Sequence, residues 1–278
     1  MTRKKKFNFN VFLIYFLLIV LIVLIVYPLF LSLNTSFKEN IDIIRYPMQL
    51  AKSINFKNYK DAFVKGNLLT NYMNSFIITI ASVILVLIFG SMASYILSRK
   101  IFKGKTIIYF YILMGMMIPI PILFIPLFKM TIYLGLFNTR SGMILIYTAR
   151  SLPFAIFILT DFMNNINKEF FEAAEIDGAS EFKKYLNIAL PIILPSMATV
   201  IIFTFRDIWN DYFMPLIFLR DPNVQTLTVG LTKFMGQYVN QWGLLSAGLN
   251  MVIIPLIILF YFLSKQFVRG LTSGGLKM

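Results

Sequence analysis

An all-α fold of six membrane-crossing helices is predicted for this chain by its composition, by the length of its uncharged runs and by the places where its basic residues stand. Of 278 residues, 58% are hydrophobic and only 14% charged, and the mean hydropathy is +0.76, more apolar than a soluble domain with a wettable surface allows. Several runs lack charge for long enough to cross a bilayer, which takes about 20 apolar residues. The 26 Lys and Arg exceed the 12 Asp and Glu, for a net charge of +14, but they gather in short runs beside apolar stretches, as in Arg3-Lys4-Lys5-Lys6 and Arg99-Lys100. That pattern belongs to membrane insertion, so the charge reads as topology and not as a nucleic-acid surface.

Taken in order, the predicted spans are residues 11–33, 71–98, 106–128, 142–160, 192–219 and 244–264. The first is longer than the core of a secretory signal and shows no small-residue cleavage site before Tyr27-Pro28, so it is expected to be retained. The third contains Pro119, Pro121 and Pro126, each without a backbone donor, and cannot run as one undistorted helix. Carbonyls freed there need protein or a watered cavity, so this span is expected to face the protein interior. The fourth carries Arg150 and Pro153, and the fifth opens on Pro191 and Pro195. Six crossings put both ends on one side. The basic N-terminus, the loop from Arg99 to Lys105 and a tail with Lys265, Arg269 and Lys277 make that side the cytoplasm, although Lys38, Arg45, Lys52, Lys57, Lys60 and Lys65 lie in the outer segment. No repeat, low-complexity run or linker marks a second soluble domain.

Cys and His are both absent, which removes disulfides, thiol nucleophiles, His bases and most transition-metal sites. With its acids scattered, the chain offers no clustered catalytic set, so a membrane-embedded enzyme is disfavoured and no metal site is expected. A phosphate-cradling loop needs Gly, four residues, then Gly-Lys-Ser/Thr. Gly104-Lys105-Thr106 supplies the ending, but Arg99 stands at the first position, so no nucleotide site is predicted.

Between the fourth and fifth spans lies a polar stretch, Asn164 to Pro195, long enough for structure of its own. Glu169 to Ile176 has helix-forming composition, Gly178 is a helix stop, and Ser180 is placed to cap a second helix with Glu181 in its first turn and Lys183 and Lys184 later. Two short helices meeting at a bend are predicted. Small Ala173 and Ala174 allow close approach by a partner, and Glu172 and Glu175 can offer it carboxylates. By composition alone, a solvated acidic loop without a partner explains the same residues.

Glu172-Ala173-Ala174-Glu175-Ile176-Asp177-Gly178-Ala179-Ser180, followed by Leu190-Pro191, resembles the EAA loop of bacterial ABC-importer permeases, and in particular the MalG-like branch of the carbohydrate importers. Phe56-Lys57-Asn58-Tyr59, Asn74-Ser75, Gly135 to Thr139, Trp209-Asn210-Asp211-Tyr212 and Gly270 to Gly274 fall in the order and spacing of that family's related motifs. Asn167 stands where the family often has Pro, which leaves the start of the first short helix less sharply defined. The resemblance implies a type I ABC-importer permease fold: a cytoplasmic N-terminus over 1–10, one transmembrane permease domain over 11–264 with a coupling loop at about 162–191, and a cytoplasmic tail over 265–278. It also implies a multi-pass protein of the bacterial inner or plasma membrane, which carries sugar, as an oligosaccharide, together with a sister permease subunit, two ATPase subunits and an extracytoplasmic solute-binding protein. ATP and Mg would sit on the ATPase subunits, with no cofactor on this chain. Glu172, Ala173, Ala174, Asp177, Gly178 and Pro191 would couple to the ATPase, and Gly270, Thr272 and Gly274 would bring the tail toward it. The same machine for a non-sugar solute, such as glycerol phosphate, an amino acid or a peptide, is the alternative.

Arg206, Asp207 and Asp211 are expected near the middle of the fifth span, where an ionisable group facing lipid costs several kcal/mol, so they should face protein or water. Asp207 and Asp211 are spaced to share a helix face. Trp209, Asn210 and Tyr212 add aromatic surface and polar tips that suit a sugar. An internal charge network, or a contact with the sister subunit, is the competing reading of the same set.

Overall fold

The structure, a computed structural model, describes the backbone at residues 9–236 and 240–275 and side chains at residues 10–236 and 240–267. Every element among them is helical. The chain divides into two compact units, one formed by the chain up to Leu68 together with Leu231–Ile253, the other by Leu69–Gly230 and the residues from Ile254 onward.

The first unit holds α1 (Phe9–Ser36), α2 (Asn40–Arg45), α3 (Lys57–Gly66), a 3-10 turn (Leu231–Phe234) and the start of the last helix. The most apolar stretch of α1 is entirely unburied within this chain. After α1, Asn58 Nδ2 donates to the carbonyls of Ser36 and Lys38, both at 2.8 Å, satisfying acceptors that a helix end leaves free. The buried Lys38 ammonium donates to the carbonyls of Tyr46 (3.1 Å) and Pro47 (3.2 Å). At Gly66 an added Cβ would stand 2.5 Å from the Phe234 ring, so glycine permits that approach.

The second unit contains α4 (Leu68–Arg99), α5 (Lys105–Met114), α6 (Ile120–Tyr133), α7 (Arg140–Asn164), α8 (Glu169–Ile176), α9 (Glu181–Lys184), a π-helical turn (Tyr185–Ala189), α10 (Leu190–Ile192), α11 (Leu194–Trp209), α12 (Phe213–Phe218), α13 (Leu227–Gly230) and the later part of α14 (Trp242–Gly275). Helices α4 and α7 run parallel: Ser82 donates to the Ile144 carbonyl at 3.4 Å and, further along both helices, Ser94 to the Ile156 carbonyl at 3.3 Å. Between them Gly90 faces Ala155, small residues that bring helix axes close where no hydrophobic effect drives them together. Two apolar cores lie along this pair. One joins Tyr95, Leu159, Met163, Phe171, Tyr185 and Val200; the other joins Ile78, Met143, Tyr147, Ile208, Met214 and Phe218. Since α7 meets Val200 near its end and Ile208 near its start, α11 runs antiparallel to it.

Among the described residues, four helices are long and apolar enough to cross a membrane: Asn10–Ser36, Leu68–Arg99, Arg140–Asn164 and Trp242–Phe267. The pair Glu181–Ile192 and Leu194–Trp209, bent by 73°, makes a fifth if it counts as one span. The predicted third span is two shorter helices, broken between Met114 and Ile120, where Pro119 holds extended backbone (φ −63°, ψ 125°). Within this chain Thr131 is the single buried residue of these two helices, so the expectation that they face the interior is not met by the chain itself. The predicted fifth span is likewise not continuous over 192–219, because α11 stops at Trp209 and α12 begins at Phe213.

Candidate functional site

The bend in the polar segment forms as its residues dictate. Asn167 Oδ1 accepts from the Glu169 N–H at 3.2 Å, so α8 has a defined start without the proline. At its end Gly178 takes φ +74°, the Ala179 N–H reaches the Ala174 carbonyl at 2.9 Å and the Gly178 N–H reaches that of Glu175 at 3.0 Å. This is the paired closure that a left-handed residue allows after a helix. Ser180 then accepts from the Lys183 N–H at 3.4 Å and caps α9. Glu172, Ala173, Asp177, Gly178 and Pro191 are exposed and Ala174 is half-buried, with Phe170, Phe182 and Ile176, the last 87% exposed, forming an apolar surface around them.

Glu175 does not stay free for a partner. Its carboxylate meets Lys184 Nζ of this chain at 3.0 Å across the bend. Lys184 also meets Glu181 at 2.7 Å, and Glu181 meets Lys100 at 2.8 Å and accepts from the Tyr95 hydroxyl at 3.0 Å. The hydrogen bonds from Lys100 and then Lys184 hold the Glu181 carboxyl, in the polar segment outside the apolar runs, at a pKa of about 2.

The second feature is the break after α11. Pro215 has no N–H for the Asp211 carbonyl, and its ring obstructs that carbonyl, so the helical hydrogen-bond ladder is interrupted there. Thr228 Oγ1 donates to the freed Asp211 carbonyl at 2.7 Å, and Asp211 Oδ1 accepts from the Met214 N–H at 3.3 Å, starting α12. The break brings Arg206, Asp207, Asn210, Asp211 and Tyr212 to the wall of a cavity of about 590 Å³ that Ile120, Pro121, Phe124 and Arg150 also line. Asp207 lies in the last turn of α11 and Asp211 two residues past its end. They converge on Arg150 of α7, whose two terminal nitrogens meet Asp207 at 2.6 Å and Asp211 at 2.9 Å. Arg206 instead sets its guanidinium 5.4 Å from the centre of the Phe203 ring.

Trp209 is not in this wall. It is 2% exposed, stacked on Phe205 and edge-on to Tyr72. Arg150 carried a signal in the sequence, a lone cation inside an apolar helix, which demands a partner, but nothing there named Asp207 and Asp211 as that partner. Gly270, Thr272 and Gly274 lie outside the residues whose side chains are described.

The family model for "binding-protein-dependent transport system inner membrane component" matches residues 87–273, which span both features. The chain belongs to that family. This permease is 36% identical over 251 residues to the melibiose/raffinose/stachyose import permease MelC of Bacillus subtilis, covering 90% of this chain and 91% of that one. It is 32% identical over 260 residues to the diacetylchitobiose uptake permease NgcG of Streptomyces coelicolor, covering 93% and 86%. Its fold matches a chain in the crystal structure of a bacterial ABC transporter involved in import of the acidic polysaccharide alginate, with a TM-score of 0.82 at 23% identity, over 96% of this permease and 99% of that chain. The family read from the EAA-like segment is thus the family found, and the chain is a multi-pass, all-helical membrane protein.

Proposed function

We propose that this permease is the transmembrane subunit of an ATP-driven, binding-protein-dependent oligosaccharide importer. The observation that carries this is identity above 30%, along more than 90% of the chain, to permeases whose names include diacetylchitobiose, arabinooligosaccharides and starch degradation products. The cavity agrees with a polar, uncharged solute: Arg150 and Arg206 balance Asp207 and Asp211 in charge, and Asn210 and Tyr212 add neutral hydrogen-bonding groups beside Phe124 and Phe213.

A six-crossing topology follows if α5 and α6 together recross the bilayer. Parallel α4 and α7 support it, since two parallel spans in sequence need one crossing between them. Both termini are then cytoplasmic, with one permease domain over 11–264 between a short N-terminus and the 265–278 tail. The bend at Glu172, Ala173, Ala174, Asp177 and Gly178, leading to Pro191, docks on an ATPase subunit. Two such subunits hold ATP and Mg and perform the hydrolysis; a sister permease completes the pathway, and the tail residues Gly270, Thr272 and Gly274 approach the ATPases. An extracytoplasmic solute-binding protein delivers the sugar, in keeping with a structural relative described in complex with an alginate pentasaccharide-bound periplasmic protein.

The test is ATP hydrolysis by the reconstituted complex, with its binding protein offered neutral oligosaccharides, glycerol phosphate, amino acids and peptides. Stimulation by one or more oligosaccharides alone is expected. Stimulation by a non-sugar solute without any response to sugars would overturn the reading.

A further inference from the structure

Three residues at the end of α4, Ser91, Tyr95 and Arg99, are spaced at four-residue intervals and so lie along one face. All three point at the bent segment. Ser91 and Tyr185 share a hydrogen bond between hydroxyls at 2.8 Å, and the Tyr95 ring lies 5.5 Å from that of Tyr185 and 6.3 Å from that of Phe171. Arg99 donates to the carbonyls of Met163 and Ile166, at the end of α7 and just beyond it, and its guanidinium lies 4.2 Å from the centre of the Phe171 ring in α8. On the other arm, Glu181 of α9 is held by the Tyr95 hydroxyl and by Lys100. Lys184, with a side chain only 5% exposed, ties Glu181 to Glu175 and so braces one arm against the other across Gly178.

The covalent route from the bend to the cavity is compliant by comparison. It passes through a π-helical turn and a 73° break before α11 begins. We infer that the end of α4 is a second output of the bent segment, with Arg99, Lys100, Glu181 and Lys184 as positioning residues that pass its movement to α4 and, through the parallel α4–α7 contact, toward Arg150. This rests on the importer reading above. Two-state motion carried through packed helices needs stiff contacts at the input, and this cluster supplies one on each arm. Partly exposed ion pairs add only about 1 kcal/mol or less to stability, so a chain in which they are weakened should still fold and assemble while its coupling changes.

The chain has no cysteine of its own, which allows a direct test. In the reconstituted complex, Lys100→Cys with Glu181→Cys removes the pair, and a short thiol-reactive cross-linker then replaces it covalently. We expect the double variant to copurify with the ATPase in wild-type amounts and to hydrolyse ATP, but to use at least about fivefold more ATP per sugar imported, the lower range of ordinary coupling between sites. Cross-linking should return that ratio toward wild type. Arg99→Lys, which keeps the charge but loses the flat fork that bonds two carbonyls and covers a ring, should raise the ratio in the same direction. An unchanged ratio in the double variant, no recovery on cross-linking, or loss of ATPase copurification would each overturn the inference. A wild-type complex that no sugar stimulates would instead sink the importer reading, so the two failures are distinguishable.

Discussion

Arg150 holds one carboxylate from α11 and one from the break that follows it, and its removal takes the ion-pair partner from both at the same cavity. A fully buried pair broken this way costs about 3–5 kcal/mol, but Asp207 is half exposed, so about 1–3 kcal/mol is expected for Arg150→Met. Thermal unfolding of the purified complex measures this, and Asp207→Asn with Asp211→Asn in the same chain should recover most of the loss. Trp209 answers differently because it packs and does not line the cavity: Trp209→Ala should cost about 3–5 kcal/mol, whereas Trp209→Phe should keep the wild-type choice of sugar in competition uptake. Glu181 sets a pH expectation. Its carboxyl is held near 2, below the ordinary 4.5, by Lys100 and Lys184, so its contribution is complete above about pH 4.5 and is lost as pH falls toward 2. The gap in unfolding temperature between wild type and Glu181→Gln should therefore be flat from pH 8 to 5 and close below that; a gap that changes between pH 8 and 6 would contradict the assignment.

At the scale of elements, the bend between α8 and α9 is the most exposed part of the account. A Cβ at Gly178 meets nothing within 4 Å among the described residues, yet the residue sits at φ +74°. Gly178→Val thus pays only left-handed backbone strain, about 1–2 kcal/mol, inside the permease, and Gly178→Asn less. Any larger effect must come from the docked partner. Glu172→Lys reverses the one exposed carboxylate of α8 that pairs with nothing in its own segment, and a lost charge pair at an interface, about 2–5 kcal/mol, weakens docking by more than tenfold. Copurification of the ATPase with each variant measures this, and wild-type amounts with both would reduce the bend to a solvated loop. These arms were legible in the sequence because their signals are local: a glycine stop, a serine cap and acids in the first turn. The interruption at Pro119 and Pro121 was legible for the same reason. The one at Asp211 was not, because the apolar run continues past it, and the Thr228 hydroxyl that takes up the Asp211 carbonyl stands 17 residues further on. The pairing of Arg150 with Asp207 and Asp211 was hidden because it joins residues far apart in sequence, and Glu175 looked free until Lys184 folded back on it.

On the scale of the whole molecule, hydropathy and motif order were enough for the all-α membrane class and the family, since both depend on features spread along the entire chain. The count of crossings was less legible, because two of the six predicted spans are broken into pieces shorter than a bilayer. The six-crossing reading predicts that single cysteines placed in the N-terminal residues and in the tail are both modified from the cytoplasmic side alone. Purified by itself, the permease should neither bind nor hydrolyse ATP, having no phosphate-cradling loop. The central claim is that this chain forms part of the sugar's path and takes its energy from separate ATPases. Accumulation of labelled oligosaccharide in proteoliposomes, with ATP on the ATPase side and loaded binding protein on the other, tests it most directly. The account predicts ATP-dependent accumulation with the full set of subunits and none when this chain is omitted; accumulation that persists without it would contradict the account.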